Sequence, residues 1–254
     1  MNLMLRAGAL TAVTAAVALG AVAFATHDPS EAPADRPGLS VITAHGKDRL
    51  PAATAADWVT YADHVVVVTP VAEREIAPGQ EEIERGEGVI FRDVTLRVDR
   101  VLWSRPAPDL PAPPSFSWTA YGWQFTEGSL ANRTEMAGDE EPRIESGHSY
   151  VMAVEWAEPH CTPGDAQAPG QWRGLGADST IPFDNGVLGQ GESAGTVVSP
   201  QPQRAAVVDP SDPHRTLEAQ VAGQSAEHLT SVLNSAVPGQ RKQIGPPAAR
   251  TPCG

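Results

Sequence analysis

His64-Val65-Val66-Val67-Val68-Thr69-Pro70-Val71-Ala72 is the stretch on which the fold turns. Four consecutive β-branched residues fit a strand covered on both faces, because Cβ branching suits the pleat and alternate side chains leave by opposite sides. Pro70 has no N–H to give to a ladder, so the end of this strand is expected at an edge or a bulge. Upstream, Thr54 reads as an N-cap with Asp57 at the capping-box position, and Trp58, Val59 and Ala62 share one face. A short N-terminal helix is therefore expected to lead into the valine strand.

Downstream, residues 73–88 read as an acidic loop and residues 89–103 as the longest strand. Val94, Leu96 and Val98 alternate with Thr95, Arg97 and Asp99, but the apolar phase resumes one residue late at Val101 and Trp103. A slip of one residue flips the buried face unless a bulge absorbs it, so a bulge is expected at Asp99-Arg100. After a proline-rich connection over 106–114, Phe116, Trp118 and Ala120 alternate with Ser117, Thr119 and Tyr121. A loop containing glycine and acids then leads to the Ser146-Gly147 turn signal. Tyr150, Met152, Val154 and Trp156 share a face of the next strand, and residues 172–175 and 180–183 are short strand candidates. Asp184-Asn185-Gly186-Val187 places Asn-Gly where a two-residue type I′ hairpin turn needs positive φ.

The pattern changes after Gly191. Asp212 reads as a cap with Pro213 at the first helical position; Leu217 and Val221 share a face, and Gly223 stops the helix. Ser225 opens a second helix, with Leu229, Val232, Leu233 and Ala236 at helical spacing. These elements predict a mainly β fold: a small five- to six-stranded barrel or sandwich, OB-like, followed by a C-terminal helical hairpin. The corresponding division is 1–25 leader, 26–52 linker, 53–199 β domain, 200–211 linker, 212–238 helical hairpin and 239–254 tail.

Taken together, the valine-run strand, the long bulged strand, the strand carrying Tyr121-Gly122 and the final hairpin resemble exported actinobacterial proteins with an OB-like or netrin-like barrel. The resemblance spans residues 54–199. It implies a small barrel, and that group brings no established activity with it.

The amino terminus points to export. Residues 1–6 carry one cation, residues 7–24 are uncharged and apolar, and Ala23-Phe24-Ala25 places small residues two positions apart before polar Thr26-His27-Asp28. That is the pattern of a secretory signal, with cleavage expected after Ala25 and a retained membrane anchor over residues 7–25 as the alternative. Either way the bulk of the chain is expected outside the cytoplasm, secreted or in the cell envelope. Removing residues 1–25 removes Arg6 and no acid, taking the formal charge from −13 to −14. A chain this acidic, with no basic stripe, is expected to repel nucleic acid and anionic lipid.

In an oxidising compartment Cys161 and Cys253 form a pair able to close a disulfide; two free thiols are the alternative. Neither His160-Cys161 nor the acidic clusters Glu81-Glu82-Ile83-Glu84 and Asp139-Glu140-Glu141 has the spacing of a zinc or calcium site, so no metal or cofactor is expected. His64, His148 and His160 lie at no diagnostic distance from an acid or nucleophile.

Two features carry functional readings. Gly191-Glu192-Ser193-Ala194-Gly195 matches G-x-S-x-G, which in α/β-hydrolases presents a nucleophilic serine on a strand-to-helix turn. Asp209 or Asp212 would be the acid and His214 or His228 the base. Here the motif is preceded by a Gly-rich turn and followed by Thr196-Val197-Val198-Ser199-Pro200, which opens no helix, so the loop reading is preferred. The second feature is aromatic: Trp103, Trp118, Tyr121, Trp123, Phe125, Trp156 and Trp172 offer material for a glycan- or peptide-binding platform. The alternation assigns Trp118 and Trp156 to the core and leaves Tyr121 and Trp123 as the binding candidates. The sequence thus favours a non-catalytic binding or interaction domain, with an extracellular protein or a glycan as partner. A serine hydrolase on Ser193 and an inhibitor of extracellular enzymes are the alternatives.

Overall fold

The computed structural model describes residues 41–46, 49–139, 141–159, 168–200 and 216–242. Its strands are β1 (Ile42–Ala44), β2 (His64–Ile76), β3 (Gly88–Ser104), β4 (Ser115–Thr126), β5 (Ser129–Gly138), β6 (Tyr150–Ala157), β7 (Gln171–Gly174), β8 (Thr180–Pro182), β9 (Gly191–Ser193) and β10 (Thr196–Val198). Its helices are α1 (Ala55–Tyr61), α2 (Gln80–Arg85), α3 (Leu217–Val221) and α4 (Ala226–Ser235). The main sheet runs β1-β5-β4-β3-β2-β6-β7, with β8 also on β6, and β9 pairs with β10 in a separate hairpin. The β1–β5 ladder is parallel and every other ladder is antiparallel.

The valine run does what its composition demands. β2 lies between β3 and β6, and Val65 to Val68 are all buried. Val65 and Val67 face a cluster built with Val151, Ala153, Trp58, Leu217, Val221, Leu229 and Leu233. Val66 and Val68 face a second cluster with Val94, Leu96, Phe116, Met152, Val154 and Trp172. One face of the sheet is thus covered by helices, and the other folds over itself. Each buried valine contributes about 1.5–3 kcal/mol of apolar burial.

Local signals explain the ends and kinks. The capping box closes on α1, with Asp57 N–H donating to Thr54 Oγ1 at 3.1 Å and Thr54 N–H to Asp57 Oδ2 at 2.9 Å. Pro70 falls just past the last β6 pairing, Val68 with Tyr150, and a register shift follows between Pro70 and Ala72. The expected bulge is at Asp99: Val67 pairs with Arg100 and Val68 with Val98. Burial works against the Asp99 charge, but hydrogen bonds from Arg97 Nε and Thr69 Oγ1, each 2.6 Å, outweigh it and hold this carboxyl below its ordinary pKa.

Several expectations need correction. The sheet is not a closed barrel, because among the described residues no ladder joins β7 to β4, β5 or β1. The acidic stretch 73–88 is not a loop: β2 continues to Ile76, and α2 follows, its Glu82 accepting the N–H groups of Gly79 at 2.9 Å and Val89 at 3.1 Å. Those two backbone bonds hold the Glu82 carboxyl below its ordinary pKa. The segment leading to Ser146 contains β5, entered through a two-residue turn with positive φ at Glu127 and Gly128. β1 lies inside the stretch read as linker over 26–52. Asn185 and Gly186 do adopt positive φ, but they join no antiparallel ladder; Phe183 and Gln190 meet in a single parallel bridge.

The helical hairpin is part of the core rather than an appendage. Thr216 caps α3, its hydroxyl accepting the Ala219 N–H, and Ser225 caps α4; Asp212 and Pro213 lie outside the described residues. The start of the tail is tied down by Gly239 N–H to Thr60 Oγ1 at 2.6 Å and by Arg241 to the carbonyl of Tyr61 at 2.9 Å. The leader region, Cys161 and Cys253 also lie outside the described residues. Among the described residues no helix is long and apolar enough to cross a membrane.

Candidate functional site

The site follows from the way the sheet fails to close. β5 pairs with β4 only over Trp123–Thr126 before leaving to meet β1, so among the described residues the outer edge of β4 from Ser115 to Gly122 carries no ladder. β7 pairs with β6 on one side and has no described ladder on the other. The sheet curls until these two edges face each other. Trp118 of β4 spans the gap: a Cβ at Gly174 would lie 2.7 Å from its Cη2, so only glycine admits the indole against β7.

A cavity of about 360 Å³ opens along this seam, bounded by residues 117–119 of β4 and Gln171–Gly174 of β7. Beside it lies a second of about 480 Å³, bounded by Tyr121, His45, Arg49, Asp139 and the turn 174–178. The two adjoin, with Glu141, Gly174 and Gly176 lining both, and are together called the groove. Its floor under the seam is aromatic: Trp118 meets Phe116 edge-on at 6.4 Å, and Trp172 meets Trp156 edge-on at 5.5 Å. At the rim, His45 pairs with Asp139 at 2.9 Å, and Arg49 is bound to Glu155 and donates to the carbonyl of Gly174.

The rim is positioned by a strap, residues 141–145, and the strap is gripped by the G-x-S-x-G segment. Glu192, 2% exposed, is its anchor. One carboxylate oxygen accepts from the N–H of Arg143 at 2.9 Å and of Gly195 at 2.8 Å. The other accepts from the N–H of Ile144 at 3.1 Å and from Tyr150 Oη at 2.8 Å. A buried carboxylate needs donors of this number to offset its lost hydration. Ala194 N–H adds a bond to the Glu141 carbonyl at 3.1 Å. From the sheet side, Arg92 donates to the carbonyls of Tyr121, Ile144 and Arg143, and Arg143 to those of Met136 and Gly122.

The residues singled out from sequence therefore separate. Tyr121 lines the groove, its ring against Phe91 at 5.6 Å. Trp123 does not line it: the guanidinium groups of Arg133 and Arg143 sit 4.3 and 5.5 Å from its ring centroid. Trp118 and Trp156 pack against the buried cluster, as the alternation indicates, and Trp118 also borders the groove. Ser193 ends β9 and is followed by a two-residue turn, positive φ at Ala194 and Gly195, and then by β10. That is a hairpin, not the strand-to-helix turn of a nucleophile elbow. Asp209, Asp212 and His214 lie outside the described residues, and His228 is on exposed α4 surface.

His64 is buried between Ser104 Oγ at 2.8 Å and the Leu110 carbonyl at 2.9 Å. His148 is held by Asp184 at 2.5 Å, and that carboxylate also accepts the Ser149 N–H. Both histidines fasten loops to the sheet. Among the described residues no group of three metal-ligating side chains converges.

The class these features define is an open, helix-backed, mainly antiparallel sheet with an aromatic-floored groove at its unclosed seam. No family model matches the chain, and no curated protein matches it either.

Proposed function

We propose that this chain is a non-catalytic binding domain of the cell envelope or secreted fraction, holding its ligand in the groove between β4 and β7. The observation that carries this reading is the pair of facing strand edges over an aromatic floor, with Tyr121 on the wall and no ladder partner among the described residues. Concave, partly apolar sites with a few fixed polar groups are where proteins take ligands. The apolar amino-terminal segment supports export, and the acidic surface disfavours nucleic acid. The role of Glu192 as an anchor gives the G-x-S-x-G segment a structural task that needs no nucleophile.

The test is co-purification from envelope and culture fractions with the full chain as bait. Thr119→Arg fills the groove from an exposed position, and Val237→Arg places the same charge on exposed surface that does not line the groove. Partners held by wild type and Val237→Arg but lost by Thr119→Arg support the groove. Partners held equally by all three overturn it.

A further inference from the structure

We infer that the groove takes a ligand with a single carboxylate and an apolar body, the carboxylate held by Arg173; this rests on the groove being the binding site. The argument is one of ion pairing. Among the described residues every other arginine has a carboxylate within 4.0 Å, and Arg173 alone has none. Glu155 stands opposite Arg173 in the β6–β7 ladder. One oxygen of that carboxylate binds Arg49, however, and the other binds Arg241 at 3.3 Å. The acid nearest in register is thereby used up.

The other charged side chains of the groove are all engaged. Asp139 pairs with His45 at 2.9 Å, Arg49 pairs with Glu155, and Glu141 and Asp178 have partners of their own. The partner of Arg173 is neutral. With its amide oxygen turned toward the guanidinium, the orientation that satisfies both groups, Gln171 accepts from Nε at 2.9 Å and also from Nη2. That contact orients the fork and leaves its tip, Nη1 with the second Nη2 hydrogen, for a planar acceptor. A carboxylate matches those donors oxygen for nitrogen.

The rest of the wall sets the body of the ligand. Trp118 and Trp172 supply its apolar part, and exposed Ser117 and Thr119 supply hydroxyls from β4. A cavity of about 360 Å³ is at the small end of ligand sites, which suits one ring or a short branched chain. Charge limits the anion to one unit. The chain as a whole carries −13, which works against a doubly charged phosphate or a polyanion. One contact with a guanidinium fork offsets that repulsion for a lone carboxylate, because distant charges are screened and the contact is not.

The test titrates the full chain with 3-phenylpropionate and with its primary amide, read by backbone amide chemical shifts. The acid is expected to shift residues 117–119 and 171–174 and to bind about tenfold more tightly than the amide. Arg173→Gln is expected to lose that advantage, and Arg173→Lys, which keeps the charge without the fork, to recover only part of it. Lys242→Gln removes the same charge from exposed surface outside the groove and should bind as wild type does. An N-acetylated alanyl-alanyl-phenylalanine with a free carboxylate identifies the source. Tighter binding than phenylpropionate assigns the site to polypeptide ends and weaker binding to small acids; either result keeps the carboxylate. Equal binding of acid and amide, equal binding by wild type and Arg173→Gln, tighter binding of inorganic phosphate, or no shift with either acid overturns the assignment. If Thr119→Arg loses partners that Arg173→Gln keeps, the carboxylate site falls while the groove stands; if no probe shifts the groove and Thr119→Arg retains all partners, both fall.

Discussion

Tyr150 Oη donates to Glu192 Oε2 at 2.8 Å and accepts the Glu145 N–H at the same distance, so one hydroxyl ties β6, β9 and the strap together. Burial, and then the neighbouring Glu192 charge, push the Tyr150 pKa far above its ordinary value. This contact sits under the groove's rim, at a residue that lines neither cavity.

Tyr150→Phe leaves an acceptor and a donor short of a partner in a buried place and is expected to cost about 1–3 kcal/mol in denaturant unfolding at neutral pH. The pH dependence has a definite sign. Below about pH 10 the phenol is neutral in both states and its contribution is complete. Above that, the unfolded chain ionises Tyr150 while the folded chain keeps it protonated. Stability therefore falls by about 1.4 kcal/mol per pH unit from this group. The gap between wild type and Tyr150→Phe should narrow above pH 10; a constant gap would contradict the assignment.

Glu192→Gln and Ser193→Ala separate anchor from bystander. A glutamine amide turns one acceptor into a donor facing backbone N–H groups, and the expected loss is about 2–3 kcal/mol. Ser193→Ala should stay within about 0.5 kcal/mol of wild type. A fluorophosphonate probe is expected to leave Ser193 unlabelled, and labelling lost on Ser193→Ala would restore the hydrolase alternative.

Gly122 is the extra residue where Tyr121 pairs with Phe91 and Trp123 with Ile90. A Cβ there would lie 2.4 Å from the Ile90 carbonyl oxygen and 3.1 Å from Cγ of Arg92. Gly122→Ala must push the strands apart, so a loss of at least about 2 kcal/mol is expected by thermal or chemical unfolding. A neutral result would mean that β4 does not bulge here.

Leu233 and Leu217 each stand about 1% exposed against the sheet. Leu233→Ala is expected to cost about 2–5 kcal/mol. A chain ending at Ser199 loses α3 and α4 and should bind a hydrophobic dye strongly. A cooperative unfolding transition in that truncation would show that the sheet stands without them.

What could be read beforehand divides by range. Thr54 and Asp57, the valine run, the bulge at Asp99 and the helix of Leu229 and Leu233 are decided by neighbours in sequence or by strict alternation. β5 escaped notice because Ser129–Gly138 lies largely exposed toward its start and shows no apolar period, and its entry turn uses Glu127 where Asn or Asp is usual. Glu192 is illegible for another reason: three of its four donors, Arg143, Ile144 and Tyr150, are 42 to 49 residues away, and the motif around it points to Ser193 instead. The groove was half legible. Tyr121 stands out in the strand alternation, but β7 comes from a distant segment, and Trp123 has its cationic neighbours only once β5 and the strap are in place.

Among the described residues, β2 beyond Val68 has a ladder on one side alone, and its sequence there is of a particular kind. Pro70 withholds a donor, and Glu73, Arg74 and Glu75 keep the stretch hydrated and engaged with Arg92, Asp93 and Arg133. Such features deter the stacking of one molecule on the next. Pro70→Val should make this rim sticky, seen as concentration-dependent light scattering. Along this border the chain's own composition thus works against end-to-end association of its copies.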